Sequence, residues 1–371
     1  MRTRSASVVA LSVALLAIGA TWSMTTLARA AAQAQPPARG AVPPIPPNPS
    51  TQEPAHKTTY EQVIKMETDL SNWGRWGQAD ERGTFNLVTP EKTRQAARLV
   101  REGVSVSLAH FASLEKAIDN FQFGETKHEM WNPGGQPWNP AVARAALDSI
   151  SFGTHDGTNS HLDALCHYSI LRDGKATIYN GHPQNLDEKG CKASAIDHMG
   201  PGIATRAVLV DMPLLKNVPY LAPTTPIYPA DLEAWEKFAN VKIGGGDAVL
   251  IRTGRWALRA AKGPWNSARE AAGLHVTVMP WLKQRDIALL GSDAVNDVQP
   301  SGVAGGSGEA ANRPVHTLSI AIMGMPLVDN GYFEDAAQEA ARLKRWDFFM
   351  TVQLTRISGG TATPFNALAI F

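Results

Sequence analysis

From Tyr60 onward the apolar positions switch repeatedly between a helical and an extended period. Val63, Met66 and Leu70 recur at helical spacing and predict a helix over 60–70. Thr89-Pro90-Glu91 supplies an N-cap, a first-turn proline and an acidic residue, predicting a second helix through Val100. Val104–Leu108 alternates as a short strand, and Ile203–Val210 is an apolar strand closing on Asp211. Pro229 opens a helix ending near Ala239, and 246–254 reads as a turn, a buried strand and a polar strand end. Ile287–Leu290 is a further apolar run closed by Gly291-Ser292-Asp293, and Ser319–Met323 is strand-like before a Gly-Met-Pro turn. A helix over 336–345 and a final strand over 348–354 complete the series. Strands and helices interleave, which predicts an α/β class. Neither a repeat nor an internal break divides 60–371, so one domain is expected.

Two stretches resist this reading. The segment 72–91, NWGRWGQADERGTFNLVTPE, is punctuated by Trp, Gly and Asn and reads as a packed aromatic loop. Phe111 to Val142 holds Phe121, Phe123, Trp131 and Trp138 among prolines and glycines, with little periodicity. Such a loop covers a site and lines an apolar pocket, with Trp131 and Trp138 as substrate contacts, or it is a surface excursion; the residues leave both open.

The N-terminus changes the picture. Arg2 and Arg4, an apolar run from Val8 to Ala20 and Ala28-Arg29-Ala30 have the layout of a signal peptide over 1–30. The run is short of the roughly 20 residues of a membrane span. Residues 31–59 are rich in Pro and Ala and read as a linker. A periplasmic or secreted protein with no stable membrane span after cleavage is expected. A net charge of +1 gives no support for nucleic-acid binding. Two cysteines, Cys166 and Cys191, rule out a disulfide framework. Cys166 reads as a small buried hydrophobe, and a bond to Cys191 is open to it after export.

The densest chemistry lies in 149–168, SISFGTHDGTNSHLDALCHY. It places His155, His161, Asp163 and His167 within thirteen residues. Imidazole nitrogen and carboxylate oxygen are the usual ligands of a catalytic divalent metal. All four positions are odd, so an extended backbone points them to one face. On a helix His161 and Asp163 would stand about 160° apart, which favours strand and tight loop. A lone histidine is more often structural, but this grouping points to a metal, with His167 either a ligand or a proton shuttle. Such a centre needs further ligands from elsewhere. His316, in RPVHTLS after a Gly-rich loop, is the leading candidate. Asp329 in PLVDNG competes with a β-turn reading, and Asp293 and Asp297 in GSDAVND are further options.

The run HLDALCH (161–167), preceded by a histidine and a Gly-Thr, resembles the HxGTHxDxPxH signature of the metal-dependent cyclase family. That family includes bacterial kynurenine formamidase and isatin hydrolase. NWGRWG, GTFNLVTPE, IYNG, ATRAVLVD, GDAVLIRTG, GSDAVND and the His316 region match in order, covering roughly 72–331. Two departures stand out: His155 lies two residues further from His161 than the pattern has it, and Leu165 replaces proline. Asp329 stands near the place of a family glutamate.

The resemblance implies a mixed central β-sheet or barrel-like β core flanked by helices. It implies one or two divalent ions, zinc or manganese, with Asp163 bridging if there are two. His161 would serve one ion, His155, His316 and Asp329 the other, and His167 would be the general acid/base. The implied reaction is hydrolysis of an amide, formamide, lactam or lactone of a small substrate, amides ahead of esters, in a homo-oligomer, dimer or tetramer. The altered His155 spacing and the shorter Asp329 side chain motivate a second reading, a metal- or ligand-binding protein on the same scaffold without turnover.

Overall fold

The longest apolar runs become the centre of a single mixed sheet. The computed structural model describes residues 57–124 and 126–371, all within one compact unit; the expected signal peptide and most of the linker lie outside them. Among the described residues nine strands form this sheet: β1 (Ser105–Ser107), β2 (His161–Asp163), β3 (Gly202–Asp211), β4 (Ala248–Arg252), β5 (Leu289–Ser292), β6 (Leu327–Asp329), β7 (Asp347–Gln353), β8 (Ala362–Pro364) and β9 (Leu368–Ile370). Their order is β8-β2-β6-β5-β4-β3-β7-β9-β1. The stretch β3-β4-β5-β6 is parallel, and both flanks are antiparallel. The sheet curls into a half-barrel with helices against it, the α/β architecture expected from the sequence.

Burial follows strand position. β4 and β5 lie in the parallel centre, and their apolar residues are buried without alternation. β7 alternates between buried and half-buried positions, as a strand with one wetter face should. Pro90 starts its helix, α1 (Pro90–Ala97), with the Thr89 hydroxyl accepting from the Lys92 N–H at 3.2 Å. This helix ends three residues before the expected Val100. The helix over 60–69 is capped by Thr59, and Thr58–Thr59 already pair in parallel with Val303–Ala304, so regular structure begins before Tyr60.

Three local expectations are corrected. Leu318–Met323 is a buried π-helix rather than a strand, since a short apolar run buried on every side carries no readable period. The irregular segment after Phe111 includes a small antiparallel sheet of Gln136–Pro137, Lys127–Asn132 and Leu147–Ser151. Phe348–Leu354 is not the last strand, because β8 and β9 follow it. No helix among the described residues is long and apolar enough to cross a membrane.

The 72–91 loop owes its shape to Asn180, in the left-handed region at φ 62°. Its amide donates to the carbonyls of Gly77, Gln78 and Asp80 at 2.9–3.1 Å and accepts from the Gly74 N–H at 2.6 Å. The loop and the IYNG turn are therefore one structural unit.

Candidate metal centre

Alternation along β2 separates core from chemistry. Leu162 points into the core, while His161 and Asp163 share the other face, also buried. β6 lies antiparallel beside β2 with Asp329 opposite His161, so the register itself delivers a third candidate ligand. One Asp329 oxygen accepts from the Asn296 backbone N–H at 3.2 Å and side-chain amide at 2.7 Å. The other lies 3.1 Å from His316 Nε2. Asn330, at φ 57°, then turns the chain out of the strand, so Asp329-Asn330-Gly331 is both strand end and turn.

His316 sits in the short helix Pro314–Thr317, which Asp297 fixes from outside. The Asp297 carboxylate accepts the N–H groups of Val315 (2.7 Å) and His316 (3.2 Å) and contacts His316 Nδ1 at 2.5 Å. This leaves Nε2 facing Asp329, and Asp163 Oδ2 at 3.9 Å. Asp297 orients a ligand rather than serving as one. Asp293 is further removed: it accepts the N–H groups of Thr253 and Gly254, both at 2.8 Å, where the chain enters α2 (Arg255–Lys262).

His155 and His167 arrive from loops, so the shared parity has structural meaning only for His161 and Asp163. The extra residues between His155 and His161 are taken up in a turn, where Asp156 accepts the Gly153 and Phe123 N–H groups at 3.0 and 2.8 Å. His155 Nδ1 thereby comes to 3.3 Å from Asp163 Oδ1, and its Nε2 to 3.1 Å from the Thr361 hydroxyl. His161 donates from Nδ1 to the Asn159 carbonyl at 2.8 Å, which turns Nε2 toward Asp163 Oδ1 at 3.6 Å. The ring of His167 stacks on His155 with centroids 4.0 Å apart and planes 16° from parallel.

Among the described residues two groups of candidate ligands result, His155–His161–Asp163 and Asp163–His316–Asp329, each with ligand atoms within 4.8 Å of one another. The grouping differs from the one the resemblance implied, because His155 joins His161 rather than His316 and Asp329. Asp163 belongs to both groups. Its carboxylate is buried, and among the described residues its oxygens are approached by imidazole nitrogens, His155 Nδ1 at 3.3 Å and His161 Nε2 at 3.6 Å, without a well-aligned hydrogen bond. A buried carboxylate without such a bond, ringed by imidazole nitrogens, is what a cation would complete, so the residues fit a divalent metal.

The electrostatics agree. Burial opposes ionisation of Asp163, but His167, His155 and His161 together hold its carboxyl well below the usual range. Burial also opposes protonation of His316, yet Asp329 and Asp297 push its pKa up to about 10. Burial pulls His167 down to about 4 against the attraction of Asp163. His167 is thus neutral near pH 7, with an imidazole able to accept a proton.

Trp131 lies on the small antiparallel sheet, and Trp138 directly follows its Gln136–Pro137 strand. Trp131 donates to the Ser149 hydroxyl at 2.9 Å, and Trp138 is 40% exposed, so this segment is an outward excursion in the single chain. Sequence reasoning passed over Asn296, Thr361 and Tyr168, the last with its ring 5.2 Å from that of His316. Cys166, one residue before His167, is bonded to Cys191, with Cα atoms 6.5 Å apart.

Comparison with known proteins bears on the fold and the family. The chain is similar to a structure described as a novel cyclase at 26% identity, covering 82% of this chain and 99% of that one, with a TM-score of 0.67. It shares its fold with isatin hydrolase A from Ralstonia solanacearum at 20% identity, 76% and 97% coverage and a TM-score of 0.50. An isatin hydrolase bound to the product analogue thioisatinate matches at 16% identity, 75% and 97% coverage and a TM-score of 0.51. No curated protein matches the chain. The family model described as "Putative cyclase" matches residues 97–296, more than half of the sequence, and the chain belongs to that cyclase family.

Proposed function

We propose that the protein is an exported, metal-dependent hydrolase that opens an amide, formamide, lactam or lactone carbonyl of a small substrate, with amide-type bonds preferred. The observation that carries this reading is Asp163, a buried carboxylate that, among the described residues, has imidazole nitrogens around it and no well-aligned hydrogen bond, and that is shared by two groups of candidate ligands. His155, His161, Asp163, His316 and Asp329 would hold one or two ions, zinc or manganese, since both accept imidazole and carboxylate. A bound divalent ion supplies Lewis acidity toward a carbonyl and makes water acidic enough to be a nucleophile near neutral pH.

The chain's own residues supply the remainder. Asp297 and the Asn159 carbonyl engage Nδ1 of His316 and His161, so Nε2 of each points toward the other candidate ligands, and an ion bound there would displace the proton on His316 Nε2. His167 is the proton carrier: held neutral by burial, it takes a proton during attack and returns it to the leaving nitrogen. Its stacking on His155 keeps the ring beside the ligands without making it one. The isatin hydrolases that share the fold make a cyclic amide, isatin, a rational first substrate. The Cys166–Cys191 bond supports export, because disulfides persist in oxidising compartments. Assembly into a homodimer or homotetramer belongs to the same reading.

The test is metal content by elemental analysis together with turnover of isatin and a panel of formamides, lactams and lactones, with His167→Ala as control. Metal near one or two equivalents, turnover, and a large loss of rate in the variant are expected. Stoichiometric metal without turnover anywhere on the panel would favour a binding protein, and undiminished turnover by His167→Ala would remove His167 from the mechanism.

A further inference from the structure

The two segments that carry the candidate ligands meet at a buried cation. Arg255, the first residue of α2, is 3% exposed. One of its terminal nitrogens donates to the Asn330 side-chain oxygen. The other donates to the Gly157 carbonyl at 2.7 Å and the Ser267 hydroxyl at 3.2 Å. Asn330 directly follows Asp329, and Gly157 lies between His155 and His161. Asn330 continues the connection: its amide donates to the Asn159 carbonyl at 3.3 Å, the same oxygen that accepts His161 Nδ1 at 2.8 Å. The Ser160 hydroxyl also donates to the Asn330 carbonyl at 2.6 Å.

We propose that Arg255 is a positioning residue for the metal centre, holding the His155–His161 segment and the Asp329–Asn330 strand end in one register. The inference rests on the metal-site reading above and concerns which residue keeps that site in shape. A buried guanidinium is costly to desolvate, and its fork reaches two acceptors at once, which a lysine ammonium on a flexible stem does not reproduce. Among the described residues the carboxylate nearest its guanidinium, Asp119, stands 3.9 Å away and is also hydrogen-bonded by Arg259 at 2.6 Å. The short bonds of Arg255 therefore go to the ligand-bearing segments, not to a counter-ion. The backbone leaves little slack there. A Cβ on Gly157 would lie 2.3 Å from the Asp119 carbonyl oxygen, so the strap between His155 and His161 is seated directly on its neighbours.

The experiment measures zinc and manganese affinity by chelator competition on full-length protein, with folding checked by circular dichroism. Arg255→Lys is expected to bind about 10–100-fold more weakly, the loss typical of a group that orients a ligand. Asn330→Gly removes the relay without straining the left-handed backbone, and a similar loss is expected. The double variant should lose clearly less than the sum of the two, because both act through one connection. Arg206→Gln, which loses its bonds to Asp347 and Asp247 and touches neither segment, should lower thermal stability and leave metal affinity unchanged. A folded Arg255→Lys within about twofold of wild type, or full additivity with Asn330→Gly, overturns the proposal. If Arg255→Lys does not fold, Asn330→Gly decides it alone: wild-type affinity in that variant overturns the role. A wild-type protein that takes up neither metal overturns the metal reading itself and the Arg255 role with it. A wild type that binds while the variants bind equally well overturns only the latter.

Discussion

Asp329 faces His161 across the antiparallel rung between β6 and β2, although 168 positions separate them in sequence. On the other side of β2, Asp163 pairs with Ala362 of β8. The central strand of the site is thus held on both edges. Its two polar residues sit where backbone pairing leaves little freedom to rotate away, and a site on a fixed strand requires less reordering when an ion arrives.

Asp163 is shared by both candidate ligand groups, so its neutral isostere should empty both. Asp163→Asn is expected to reduce metal affinity by at least about 100-fold, beyond the usual loss from an orienting residue. Elemental analysis after equilibrium dialysis would check this. Retention of one full equivalent would show that His316 and Asp329 suffice without it.

Asp297 predicts a subtler phenotype. Asp297→Asn keeps every candidate ligand but weakens the contact that engages His316 Nδ1. Metal affinity should fall about 10–100-fold while the protein stays folded. Asp293→Asn should instead act on stability, because Asp293 anchors the entry to α2. Comparing chelator titrations with melting curves of the two variants separates an orienting role from a structural one.

How much of this was legible from the chain follows from what each signal measures. The central strands were readable because long apolar runs at Ile203–Val210 and in 246–254 have one economical use, the buried middle of a sheet. His161 and Asp163 were readable because their spacing matches a strand and little else. The pairing of Asp329 with His161 was not readable, since register depends on contacts between distant segments. Leu318–Met323 misled because burial on all sides erases the periodicity that distinguishes helix from strand. Arg255 gave no sign at all: an arginine after a strand ordinarily reads as a solvated charge, and only the packed structure shows its guanidinium between two loops.

Acid should act through Glu236. Burial raises its pKa, but hydrogen bonds from Arg285, Lys242 and the Ile243 N–H outweigh this and bring it down to about 2 from 4.5. A carboxyl whose folded pKa is depressed contributes stability that is complete above its unfolded value and fades as pH falls through the folded value. Wild-type protein should therefore lose part of its stability between about pH 4.5 and 2. Glu236→Gln should be less stable at pH 7 and show a flatter slope across that window. Urea denaturation at a series of pH values provides the measurement.

The Cys166–Cys191 bond closes a separation of 25 residues. Constraint of the unfolded chain by a loop of that size contributes roughly 3.5 kcal/mol. The Cys166→Ala/Cys191→Ala double variant should be destabilised by about that amount, and reduction of wild type should do the same. Because Cys166 precedes His167, catalysis should fall more steeply with temperature in the variant than in wild type. Denaturant curves and activity measured side by side would check both effects.

Self-association is expected to use the excursion that contains Trp131 and Trp138. All five residues of Leu147–Ser151 are exposed, Ile150 at 60%, and Phe123 (73%) and Val142 (62%) lie on the segments that flank or connect the strands of the same small sheet. Three short strands are near the lower limit of independent stability, and apolar side chains concentrated there mark a surface for a partner. Leu147–Ser151 is also the terminal strand of its three-stranded sheet, a position where a second copy of the chain would add. Light scattering after size exclusion should give a dimer or tetramer for wild type and a smaller assembly for Ile150→Asp. Metal content should stay at the wild-type level, because the candidate ligands lie on β2, β6, the helix Pro314–Thr317 and the loop that carries His155 rather than on this sheet. A wild-type monomer, or an Ile150→Asp variant of unchanged mass, would place the interface elsewhere or remove it.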